Sequence, residues 1–96
     1  MTVYAAFDNS EETTQLATTY GFGDFKRWVQ SLPAGQFLDL RHLCKYGWDQ
    51  DLEQVRSQLL TARFQHRPSE DVLSTVTNLL EMLSDLKGKD RITIVG

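Results

Sequence analysis

His42, Cys44 and His66 are the only imidazole and thiol side chains in the 96-residue sequence. A thiol beside an imidazole can act as a nucleophile, and four such ligands at defined spacing can hold zinc. His42 and Cys44 are two residues apart, which on a helix turns them about 200° away from each other, so they cannot share an ion. Cys44 shares a helical face with Phe37 and Leu40, where a cysteine behaves as a small hydrophobe. Burial and inertness follow from that placement. The sequence also lacks GxSxG, a Walker loop, HExxH and CxxC, the common local signatures of hydrolytic, nucleotide, zinc and redox chemistry. The acids of Asp8-Asn9-Ser10-Glu11-Glu12 resemble the start of a calcium loop. Thr13 stands where that loop needs glycine, and Thr19 where it needs a bidentate glutamate. No catalytic residue, metal or cofactor is expected, and a small enzyme of unknown chemistry ranks last among the readings.

Side chains suited to recognition are better represented. In the segment from Asp51 to Gln65, with Leu52 set at zero, Arg56 projects near 40° and Arg63 near 20°, at about 100° per residue. They lie one heptad apart amid the apolar arc of Val55, Leu59 and Leu60, a stripe that Leu60 and Phe64 are expected to widen. Their stems can pack on the core edge with the heads in water, or the guanidinium groups can meet a partner's carboxylates bidentately. Tyr46 falls on the polar side of its helix and Trp48 at a turn, positions where an aromatic ring can anchor an interface. Tyr46, Trp48, Arg56 and Arg63 are therefore the candidate partner-binding residues.

Charge narrows the partner. The net charge is −3 and the pI about 5.2, which argues against a broad cationic nucleic-acid surface. Residues 38–46 and 49–65 loosely follow a helix, glycine turn, helix plan. A recognition helix would need donors at its start, and here the start is Asp49-Gln50-Asp51-Leu52-Glu53. A nucleic-acid-associated regulator using those two helices is kept as the alternative function. The leading expectation is a non-enzymatic protein–protein interaction domain, a regulator, adaptor or inhibitor of a larger protein. No apolar run approaches the roughly 20 residues of a membrane span. The N-terminus lacks the basic start of a signal peptide, and a single cysteine permits no internal disulfide, so a cytoplasmic location is expected.

The elements that must position these residues read as one domain over 1–96, α+β and mainly helical. Four or five short helices pack around a long helix over 69–86, and short strands at 2–7 and 91–95 pair with each other, with room for a third segment. Val72, Leu73, Val76, Leu79, Leu80, Met82, Leu83 and Leu86 cover half of the long helix, so two or three elements must pack on it. Asn9 and Glu12 have capping-box spacing for a short helix ending at Gly21. Phe25, Trp28, Val29 and Leu32 then define a second helix stopped by Pro33. Tyr20-Gly21-Phe22 and Tyr46-Gly47-Trp48 both read as glycine-terminated helix ends rather than a repeat. Unpaired sheet edges would let a second copy or a partner strand add on, so a homodimer is also considered. The placement of Cys44 has a direct check. A thiol reagent at neutral pH should modify the folded protein slowly and the denatured protein at once; equal rates would contradict burial.

Overall fold

The computed structural model describes residues 2–7, 13–33, 35–45, 51–84 and 92–95. The long apolar helix of the sequence is present as α4 (Glu70–Met82), with Glu70 and Asp71 in its first turn, where the helix dipole favours acids. Val72, Val76, Leu79 and Leu83 are buried along one stripe, with Thr75 beside them. Among the described residues, helices α1 (Thr19–Ser31) and α3 (Leu52–Gln65) and strand β2 (Thr14–Thr18) pack on α4. The expected helix end at Lys87-Gly88 lies outside the described residues.

The two terminal strands pair as expected. Strand β1 (Thr2–Phe7) lies antiparallel to β3 (Ile92–Val95), with Phe7 opposite Ile92 and Tyr4 opposite Val95. Val3, Ala5 and Phe7 are buried while Tyr4 is exposed, the period of two that a sheet with one covered face requires. The third strand is β2, and the sheet order is β2-β1-β3.

Strand β2 corrects the expectation of a short first helix. Thr13, Thr14, Thr18 and Thr19 crowd a helix at χ1 but fit a pleated edge. The register against β1 slips by one residue between Val3 and Tyr4. The bulge leaves Leu16 unpaired in register, buried, next to Ala17, which also packs on the core. A bulge re-aims side chains in this way, and it hides the alternation that would mark a strand in the sequence. The proposed capping pair, Asn9 and Glu12, lies outside the described residues.

Gly21 likewise does not end a helix. Helix α1 begins at the last residue of β2, where Thr18 Oγ1 accepts a 3.0 Å hydrogen bond from Gly21 N. Gly21 and Gly23 both lie inside it. Two internal glycines cost about 1 kcal/mol each relative to alanine. Burying Phe22 and Phe25, which stack at 5.6 Å, returns about 1.5–3 kcal/mol each. Tertiary burial therefore outweighs local propensity, and Phe22 belongs to the helix stripe rather than to a glycine-stop turn.

Helices α2 (Leu38–Lys45) and α3 form a hairpin fastened by Gln58. Its Oε1 accepts from Leu40 N at 3.1 Å and its Nε2 donates to Asp39 Oδ2 at 2.9 Å. One of the orphan N–H groups of the α2 N-terminus is thus capped from another helix. Arg41 serves the α1 C-terminus, donating to Leu32 O at 2.6 Å, a cation where that helix has no basic residue of its own. Leu38 to Arg41, a segment whose alternation also suits a strand, is helical. The buried side chains form one cluster, and no helix among the described residues is long and apolar enough to cross a membrane.

The two helical glycines differ in what surrounds them. A Cβ at Gly23 meets nothing within 4 Å, whereas one at Gly21 comes within 3.3 Å of Thr18 Oγ1 and 3.5 Å of Ala17 Cβ. Gly23→Ala should therefore raise stability by about 0.5–1 kcal/mol, while Gly21→Ala should gain less or lose. Chemical denaturation of both variants reads the difference, and equal gains would contradict the crowding at the cap.

Candidate functional site

Helix α3 is the element that carries the arginines singled out above. Asp51 caps it, its Oδ1 accepting from Glu53 N at 3.0 Å and Gln54 N at 3.3 Å. Leu52, Val55, Leu59 and Ala62 are buried. On the same angular scale these four centre near 320°, at about 100° per residue. The remaining apolar residues of the helix are not on that meridian. Leu60, near 80°, is 40% exposed, and Phe64, near 120°, is 89% exposed. This corrects the expectation that both widen the buried stripe.

Arg56 and Arg63 stand between the buried meridian and this exposed apolar pair, and both are exposed. Neither forms an ion pair or hydrogen bond with any described residue. Arg56, Leu60 and Phe64 follow one another at intervals of four, which aligns them as a ridge along the helix. Beside this ridge, Glu53, Ser57 and Thr61 make the next one, and a shallow hollow between them is lined by Arg56 and Leu60. The face thus holds two cations, one aliphatic and one aromatic side chain within about three turns. It can offer an apolar anchor surrounded by donors that match carboxylates.

The other candidates do not join it. Tyr46 and Trp48 lie outside the described residues. Trp28, expected on the apolar stripe of its helix, is partly buried against the core: its Nε1 donates to His66 O at 2.8 Å, tying the end of α3 to α1. His66 sits half-buried with its ring edge-on to Phe37 at 6.1 Å. His42 is exposed on α2, and the Cys44 side chain is outside what is described. Among the described residues no three His, Cys, Asp or Glu side chains gather closely enough to hold a metal ion. Phe64 is the residue that composition alone overlooks. Its helical angle, about 160° from the buried meridian, is the signal that locates it.

A second hollow lies between β2, the start of α1 and the first half of α4. Its rim includes Tyr20, which is 87% exposed, and the carboxylates of Asp24, Glu70 and Asp71. Asp24 pairs with Arg27. Asn78 closes one end, its Nδ2 donating to Leu16 O at 2.9 Å.

No protein-family model matches the chain, and no curated protein or solved structure matches it. The geometry of the surface is what function must be read from.

Since the two arginine heads contact no described group, Arg56→Ala and Arg63→Ala should each shift unfolding free energy by less than about 0.5 kcal/mol. Denaturant titration checks this. A loss of several times that size would make the pair part of the scaffold.

Proposed function

We propose that the chain is a non-enzymatic protein–protein interaction domain, a regulator, adaptor or inhibitor of a larger protein, and that it meets its partner through the outer face of α3. The observation that carries this reading is Phe64, 89% exposed one turn from Leu60 and next to Arg63, which like Arg56 forms no ion pair with any described residue. A single exposed leucine is ordinary on a protein surface. An almost fully exposed phenylalanine next to an arginine has the composition of an interface anchor. Covering its ring returns about 1.5–3 kcal/mol, which is one to two decades in affinity.

Charge selects the kind of partner. Arg56 and Arg63 face outward and form no ion pair with a described carboxylate, although Glu53 lines the same hollow as Arg56, so the face carries two cations to one acid and two copies of it would set like charges together. The complementary surface carries carboxylates around an apolar pocket, and Arg favours such pairs because its planar fork binds both oxygens. The nucleic-acid alternative gains little support from α3, whose first turns carry Asp51 and Glu53. Those acids would meet phosphates at the end a recognition helix uses.

Affinity capture from native lysate, followed by quantitative binding of the companion recovered, tests the reading. The full chain should retain a stoichiometric protein companion. Phe64→Ala should weaken that binding by tenfold or more, with an unchanged melting temperature. Arg56→Ala with Arg63→Ala should weaken it and flatten its salt dependence. A companion held equally well by all three chains would move the working surface elsewhere.

A further inference from the structure

Strand β2 has β1 on one side and no described strand on the other. Sheet edges expose unpaired N–H and C=O groups, and proteins usually blunt them with lysine, proline, bulges or a covering element. The segment Thr14-Gln15-Leu16-Ala17-Thr18 contains no charge and no proline. Helices α4 and α1 pack on the strand, and among the described residues the edge itself is met by the bulge at Leu16 and the hydrogen bond from Asn78. Alongside this edge runs the second hollow, open to solvent and about 660 Å³ in volume, with residues 15–18 as one wall and the first half of α4 as the other.

The chemistry of that hollow is one-sided. It holds three carboxylates and no lysine or arginine among its lining residues. Glu70 and Asp71 have no ion pair with any described residue. The α4 dipole offsets them by only about half a positive charge, so the wall stays negative. The exposed Tyr20 ring beside it offers a face to a cation and an apolar surface to an alkyl stem.

We infer that this groove takes an extended, basic segment of a partner protein, which pairs with β2 as an added strand and sets its lysines or arginines against Glu70, Asp71 and the Tyr20 ring. Main-chain pairing supplies affinity in such additions, and alternate side chains supply specificity. From Glu70 to Asn78 the helix rises about 12 Å, enough for three or four strand residues at about 3.3 Å each. The contact is therefore short and weak. A second copy of this chain is the weaker occupant, because within their described spans β1, β2 and β3 read TVYAAF, TQLAT and ITIV and offer at most the single cation of Arg91 beside β3 to the acidic wall. Acidic segments and nucleic acid would be repelled. This surface is distinct from the outer face of α3, and its charge is opposite.

The test is a titration of the full, nitrogen-15-labelled chain with a seven-residue peptide of alternating lysine and threonine, followed by amide shifts. Saturable shifts should fall on residues 15–18 and 70–74. A peptide with every backbone amide N-methylated should bind at least tenfold more weakly; spermine should move residues 70–74 at most and leave residues 15–18 in place, and a glutamate–threonine peptide should move neither set. Glu70→Lys with Asp71→Lys should weaken binding at least tenfold. If that double variant fails to fold, Tyr20→Ser, at an exposed position, should weaken it severalfold. No saturable shift at the groove up to millimolar peptide would overturn the inference. So would undiminished binding of the N-methylated peptide, or equal shifts with spermine, since either would mean charge attraction without strand pairing.

Discussion

Everything in this fold depends on covering the stripe Val72-Val76-Leu79-Leu83 from three sides at once. Each of these side chains contributes about 1.5–3 kcal/mol when fully buried, so the four together reach roughly 6–12 kcal/mol. A small domain's whole net stability is of the same order, about 5–15 kcal/mol. Helices α1 and α3 and strand β2 each supply part of the cover. The polar links follow from that demand. Asn78 fixes α4 to β2 through Leu16 O, Trp28 fixes α1 to the end of α3 through His66 O, and Gln58 holds α2 on α3. The first two join elements distant in sequence, the third joins consecutive helices, and each satisfies a backbone group that packing would otherwise leave without water.

How much of this was legible in the sequence varies with the strength of the local signal. The α4 stripe, the Phe25-Val29-Leu32 stripe and the pairing of the terminal strands could be read from periodicity, because burial on one face imposes it directly. The segment from residue 13 to 24 departs from its local reading for two physical reasons. A bulge at Leu16 put two consecutive residues toward the core, which erases the alternation of a strand. Two glycines then stood inside a helix whose aromatic burial outweighs their cost, so a residue that usually ends helices was taken at its usual meaning. Both errors come from tertiary packing overriding a local rule.

The candidate surface was half legible. The helical angles of Arg56 and Arg63 set them amid the apolar arc, whereas they stand exposed at the side of a narrower buried stripe, without an ion pair to a described residue. Leu60 and Phe64 were assigned to the core on residue type, although the same angles put them about 120° and 160° from its centre. For a helix with so many apolar residues, angle is the better guide: only the side chains nearest the packing meridian can be covered by neighbours. The edge of β2 was invisible in advance because the strand itself was.

Phe64 and Trp28 show why residue type alone does not identify a working surface. Both are large aromatics on helices, and either could anchor a partner. Trp28 gives its one donor to His66 O and packs with Phe25 at 6.0 Å; exposing it would cost the core a hydrogen bond and a ring contact. Phe64 contributes almost nothing to burial, since Leu52, Val55, Leu59 and Ala62 already complete the inner face of α3. Folding therefore places no demand for an aromatic ring at position 64, and a polar residue there would serve the scaffold as well. A side chain that the fold does not use, held on a helix whose other face is fixed in the core, enters a contact with little further ordering to lose. That economy supports the proposal that the outer face of α3 is a contact surface.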